Sequence, residues 1–184
     1  AMSFEVTVRA IRQEADRIRS FEFCMADGSS VSPYPAGSSL TLQLPNGVLR
    51  TYSLLDSGTL PEALRIAVLY QGAGRGGSRF LHENVREGDR LQVNNLSMSF
   101  EALLTPAKHI LIAGGIGITP ILSLARYFFE HGQPFNLHYG ASAPDQAAFV
   151  EELLLSPFGG SVSIYYSSTG NRMNIGALLS ERAD

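Results

Sequence analysis

The period of hydrophobicity changes once along this chain, and that change limits what it can fold into. Up to about Glu101 the apolar residues alternate in short runs: Phe4 to Arg9, Ile18 to Phe23, then Leu40, Leu42 and Leu44, Leu64 to Tyr70, and Arg90 to Val93. A period of two belongs to strands with one buried face, and Pro45-Asn46-Gly47 after Leu44 is a hairpin signal. Several short strands at this spacing predict an antiparallel β-barrel. Beyond Pro106 an apolar strand, Ile110 to Ala113, runs into a glycine-rich turn and a helix from Thr119 or Pro120 to about Glu130. A strand from Phe135 to Tyr139, a helical segment from about Asp145 to Leu155, a strand from Val162 to Tyr166 and a short helix after Asn174 follow. Strand and helix in alternation predict a doubly wound, parallel α/β sheet. The boundary is expected between about Glu101 and Ala107, dividing the chain into residues 1–104 and 105–184.

Composition narrows the partners. With 184 residues, 45% of them hydrophobic, the chain can fill two modest cores. The formal charge of −3, without blocks of like charge, argues against nucleic acid and against an anionic membrane surface. Apolar runs such as Lys108 to Gly115 and Ile121 to Phe129 fall short of the roughly 20 residues of a membrane span, and the N-terminus lacks a signal-peptide core. A soluble, cytoplasmic protein is expected, with Ala1-Met2 reading as an expression scar. The single cysteine, Cys24, excludes an internal disulfide and a four-thiolate iron–sulfur cluster within these residues, and no metal site is expected.

Three segments carry chemistry. In Arg50-Thr51-Tyr52-Ser53-Leu54, on the strand after the hairpin, Arg50 and Tyr52 share one face, and Ser53 faces the other way unless the strand bends. A guanidinium suits a phosphate and a tyrosine ring suits a flat aromatic ligand such as a flavin. Gly74-Arg75-Gly76-Gly77-Ser78 follows a strand and precedes a short helix that Ser78 is expected to cap. Small residues there allow close backbone approach to an anion, and free N–H groups at a helix start hold phosphate. In Ile112-Ala113-Gly114-Gly115-Ile116-Gly117-Ile118-Thr119-Pro120, a strand feeds a glycine turn that opens a helix, with Thr119 expected as N-cap and Pro120 at the first helical position. This context suits a dinucleotide pyrophosphate at a helix N-terminus.

In order and spacing these segments resemble the ferredoxin–NADP reductase superfamily, and Gly76-Gly77-Ser78 points to the phthalate dioxygenase reductase family, which includes the vanillate demethylase reductases. The resemblance covers essentially the whole chain. It implies an FMN-binding barrel, a domain for NADH or NADPH, and a [2Fe–2S] ferredoxin domain or protein that passes electrons to an oxygenase component. It further implies that Tyr52 packs on the isoalloxazine and that Ser53, the residue nearest the chemistry, hydrogen-bonds near N5. Arg50, Gly77 and Ser78 would hold the FMN phosphate, with Leu54 and Gly76 in the same motifs, while Gly115, Gly117, Thr119 and Pro120 would cradle the dinucleotide. Two departures stand out: the family's Cys-Gly-Pro strand and its ferredoxin cysteines are absent, so the chain is expected to be an incomplete reductase. The enzymatic alternative is an FAD-using flavin or ferredoxin reductase, and the other is a non-catalytic flavin-binding subunit of an oxygenase complex.

The loop Gly140-Ala141-Ser142-Ala143-Pro144-Asp145 has no cation and ends in an acid, which leads to an expected preference for NADH. His82 reads as a polar residue on a short helix, His109 as an edge residue at a strand start, and Cys24 as a small barrel residue. The stripe Ile121, Leu124, Ala125, Phe128 reads as helix packing against the sheet.

Overall fold

The computed structural model describes residues 3–74 and 76–181; Ala1, Met2, Arg75 of the glycine loop and residues 182–184 lie outside the described residues. Six antiparallel strands come first: β1 (Phe4–Ala15), β2 (Ile18–Met25), β3 (Ser38–Gln43), β4 (Leu49–Ser53), β5 (Leu64–Leu69) and β6 (Arg90–Met98). Their order is β4-β3-β6-β1-β2-β5, and a helix, α1 (Gly77–Asn84), joins β5 to β6. The sheet curls on itself. Leu54 N–H still bonds Ser38 O of β3 at 2.9 Å, whereas Leu55 N–H bonds Arg65 O of β5 at 2.9 Å, so the chain leaving β4 passes from its neighbour to the far edge of the sheet. The alternating side chains, among them Val6, Phe21, Leu40, Leu42, Ile66 and Val93, fill the concave interior. The expected hairpin joins β3 to β4: Gly47 takes φ +83°, Leu44 N–H bonds Val48 O at 2.9 Å, and Asn46 Oδ1 accepts from Val48 N–H at 3.1 Å.

The remaining elements build a parallel sheet, β7 (His109–Gly114), β8 (Phe135–Ala141) and β9 (Val162–Tyr166), with helices α2 (Ile118–Glu130), α3 (Val150–Leu155) and α4 (Ile175–Glu181). The order β7-β8-β9 advances in one direction, and right-handed crossovers then place α2 and α3 on the same face. Arg126 of α2 accordingly meets Glu152 of α3 at 2.5 Å. Ala125 and Phe128 of the helical stripe are buried, with Ile121 and Leu124 packed around them. Residues 99–108, between the sheets, contain neither helix nor strand.

Several elements differ from their sequence reading. β1 continues to Ala15 because register shifts at Val8/Ala10 and Gln13/Ala15 break the alternation without ending the pairing. The helix expected from Asp145 to Leu155 is interrupted: a 3₁₀ turn spans Pro144–Gln146, and α3 starts only at Val150. Ala147, Ala148 and Phe149 are consecutive and all buried, which a helix advancing about 100° per residue cannot achieve on one face. The backbone unwinds there, with Phe149 at φ +65°.

The two sheets share a seam. Ile18, Leu55 and Ala67 of the curled sheet join the apolar cluster of the parallel one. Over this contact Arg65 forks onto two carboxylates, with Asp56 at 3.2 and 3.3 Å and Glu152 at 3.2 Å through both terminal nitrogens. Asp16 N–H bonds Asp145 O at 2.7 Å, and Glu130 of α2 accepts from Ser57 Oγ at 2.7 Å. Burial by itself would raise the pKa of Glu152, but the hydrogen bond from Arg65 and the charges of Arg65 and Arg126 outweigh it and hold the carboxyl below its ordinary value.

Arg65→Ala leaves Asp56 and Glu152 with Arg126 alone as their shared cation, at 3.8 and 2.5 Å. It is expected to destabilise the fold by about 2 kcal/mol in urea unfolding, less than for a fully buried pair because Glu152 stays partly exposed. An unchanged midpoint would show that the fork does not bear on stability. Since the folded pKa of Glu152 lies below its unfolded value, this stabilisation is present at neutral pH and is lost as pH falls through the folded value, so the difference between wild type and variant should shrink in acid.

Candidate functional site

Arg50 and Tyr52 leave β4 on one face while Leu49 and Thr51 are exposed on the other, Thr51 bonding Thr41 across the ladder at 2.8 Å. Opposite them lies the start of α1. The helix opens at Gly77 with Gly76 as its N-cap at φ +92°, so Ser78 is not the cap expected from the sequence. Ser78 Oγ instead accepts from Gln71 N–H at 2.9 Å and donates to Gln71 O at 3.3 Å, tying the two ends of the glycine loop together. Gly77 leaves room for the side chain beside it: a Cβ there would stand 2.6 Å from both Cγ and Nε of Arg50 and would push that side chain aside. The stem of Arg50 therefore lies directly against the first turn of α1, where unpaired N–H groups point outward and no acidic residue competes. The guanidinium bonds Leu49 O at 2.8 Å and has no carboxylate partner among the described residues.

The far end of α1 is anchored. Since a carbonyl can only accept, His82 donates from Nε2 to Val68 O of β5 at 2.7 Å, and Arg19 holds His82 O at 2.6 Å. Burial pushes the His82 pKa down, which suits the neutral ring this bond needs. His82 is thus a strut, as is His109, stacked on Phe128 at 4.4 Å. Cys24 is half-buried, with its thiol 3.7 Å from Thr7 O.

Arg50, Tyr52, Gly77 and Ser78 line one cavity of about 230 Å³, with Ala67, Leu69 and Gln71 from β5 and its exit, Gly74, and Ile116 from the other sheet's glycine turn. Ser53 and Leu54 do not line it. Ser53 sits half-buried at the end of β4, where the strand bends away, and Leu54 is wholly buried in the core, so only its main chain is free to meet a ligand. Burial pushes the Tyr52 phenol up to about 12, against the opposing charge of Arg50.

The turn after β7 is shaped by Gly115, at φ +54°, which starts a 3₁₀ turn over Gly115–Gly117 that runs straight into α2. The helix therefore begins at Ile118 with Gly117 as cap, one or two residues ahead of the predicted start. Thr119 is buried inside the first turn, its hydroxyl donating to Ile116 O at 3.2 Å, and half-buried Pro120 follows where its missing N–H costs no helical bond. Neither lines the cleft beside this turn, whereas Gly114 and Gly115 do. They border an open cleft of about 440 Å³ at the carboxyl ends of the parallel strands, completed by Gly140, Ser142, Ser167 and Arg172. Arg172 and Ile116 were missed in the sequence: each lies in a turn with no periodicity to mark it. Among the described residues no group of three or more His, Cys, Asp or Glu is placed to hold a metal, and no helix is long and apolar enough to cross a membrane.

A curled antiparallel sheet packed against a parallel sheet with a glycine turn has counterparts among known proteins. The chain is 38% identical over 182 residues to a vanillate O-demethylase oxidoreductase of Pseudomonas sp. strain HR199, covering 98% of this chain and 57% of that protein. It is 35% identical over 181 residues to a carnitine monooxygenase reductase subunit of Escherichia coli, covering 97% and 56%. The solved structure of a phthalate dioxygenase reductase, described as a modular structure for electron transfer from pyridine nucleotides to [2Fe–2S], superposes with a TM-score of 0.88 at 33% identity, over 96% of this chain and 56% of that one. Over nearly its whole length the chain is thus similar to reductase components of oxygenase systems. No protein-family model matches it. The chain spans somewhat over half the length of the curated reductases it matches.

The buried setting of Tyr52 in this reductase fold can be read in an alkaline titration. Tyr52→Phe is expected to leave phenolate absorbance unchanged below about pH 11, since Tyr52 stays protonated there, whereas an exposed tyrosine ionises near 10. Loss of an ionisation near pH 10 in the variant would place Tyr52 in solvent.

Proposed function

We propose that this chain carries the flavin and NAD(P)H sites of an oxygenase reductase, with FMN as its flavin. The observation that carries the reading is the single cavity in which Arg50, Tyr52, Gly77 and Ser78 of the curled sheet face Ile116 of the nucleotide-type turn. The flavin, when bound, accepts a hydride from the nicotinamide and releases electrons one at a time.

The chain's own groups suit that cofactor. Gly77 admits the Arg50 stem beside the first turn of α1, so a guanidinium and free N–H groups converge where a terminal phosphate would sit. A phosphate held there favours FMN, because FAD would continue beyond it into an adenosine. Tyr52 offers a half-buried ring for the isoalloxazine, and Ser53 and the Leu54 main chain lie next along the strand, where we assign the hydrogen bond to the ring's edge. Gly114 and Gly115, with Gly117 at the cap of α2, supply the anion-accepting turn for the dinucleotide; Thr119 and Pro120 shape its first helical turn. Ile116 keeps water from the space between the two sites. We assign residues 1–104 to the flavin and 105–184 to the nucleotide. An iron–sulfur domain or protein and an oxygenase component complete the proposed path, in the cytoplasm where reduced nicotinamide nucleotides are available.

The purified chain is expected to be yellow and to release FMN on denaturation, identified by mass; FAD alone would overturn the assignment. Arg50→Ala should weaken FMN binding by about ten- to a hundredfold, the value of about 1.5–3 kcal/mol for a charge-assisted contact. An unchanged dissociation constant would remove Arg50 from the phosphate site.

A further inference from the structure

The cleft at the carboxyl ends of β7, β8 and β9 has one cation and no carboxylate among its lining residues. The cation is Arg172, exposed and without an ion pair or hydrogen bond among the described residues. Its backbone is nevertheless held in place. The loops after β8 and β9 are joined by Ser168 N–H to Ser142 O at 2.8 Å. Gly170, at φ +77°, turns the chain back, and Asn174 Oδ1 accepts from Ala177 N–H at 3.0 Å at the start of α4. Between them Met173 packs on Gly140, where an added Cβ would stand 3.2 Å from its Cε. Arg172 is thereby fixed next to the end of the middle strand.

A dinucleotide with its pyrophosphate at the turn after β7 lays its adenosine ribose over the ends of the neighbouring strands. A carboxylate there accepts hydrogen bonds from the 2′-hydroxyl of NADH, whereas an arginine accommodates the 2′-phosphate of NADPH. The expected preference for NADH rests on a loop with no cation and on repulsion by Asp145. The fold sets Asp145 away from this cleft and brings it a cation from another segment. Asp145 lines a different cavity beside Asp16 and Arg17, with its carbonyl bonded to Asp16 N–H at 2.7 Å. The segment after β9 brings Arg172 to the cleft that Gly140 and Ser142 line.

We propose that Arg172 selects a 2′-phosphorylated nucleotide at this cleft, making the chain an NADPH-preferring member of its family. The inference rests on the cleft being the nucleotide site. It is tested by calorimetric titration of the full chain with 2′,5′-ADP and with 5′-AMP, which differ only in the 2′-phosphate. Wild type should bind 2′,5′-ADP about tenfold or more tightly than 5′-AMP, and the ratio should fall as salt is raised. Arg172→Ala should bring the ratio close to one with 5′-AMP affinity unchanged, and Arg172→Lys should keep part of it. Equal binding of both probes by wild type, or a ratio that survives Arg172→Ala, overturns the proposal and leaves the nucleotide site standing. Binding of neither probe overturns both.

Discussion

Arg65 holds two carboxylates at once, Asp56 on the segment leaving β4 and Glu152 on α3, and this fork ties the parallel sheet's helix to the curled sheet. A planar guanidinium with paired donors fixes orientation as well as distance, which an apolar contact alone does not. Beneath it Leu55 and Ala67 enter the parallel sheet's core, and Ser57 and Thr59 grip Glu130 of α2. At the other end of α2, Ile116 in the preceding turn lies on the wall of the cavity that Arg50 and Tyr52 line.

The two cavities are shaped by glycines in different ways. Beside β4, Gly77 leaves room for the Arg50 side chain next to the start of α1, so an arginine from another strand reaches a helix start. Beyond β7, Gly115 takes a left-handed conformation that lets a 3₁₀ turn run into α2, and the cleft there also receives Arg172 from the segment after β9. In each, an arginine distant in sequence lines the same space as a glycine at or just before a helix.

What was legible in the sequence was local. Leu40, Leu42 and Leu44 ahead of Pro45-Asn46-Gly47 specify a hairpin by themselves, and the glycines after Ala113 specify a strand-to-helix turn. Arg50 and Tyr52 share a face because β4 alternates, and the structure places them on one cavity with Gly77 and Ser78. The helix caps were misplaced because Ser78 and Thr119 look like caps, while a glycine just before each helix lets it start earlier. Phe149 broke a helix that periodicity supported because three adjacent residues had to be buried together. Arg65, Ile116 and Arg172 act only through partners far away along the chain, so no window of sequence contains their roles.

The proposal that a flavin site and a nucleotide site lie next to each other is tested most directly by mixing the flavin-loaded chain with NADPH in the absence of oxygen and following the visible flavin band through a single turnover. Adjacent sites require the band to bleach as the nucleotide binds, in a 1:1 ratio of nucleotide oxidised to flavin reduced. A flavin that stays oxidised while the nucleotide cleft is saturated would show that the two sites do not meet, and that Ile116 separates them rather than joining them.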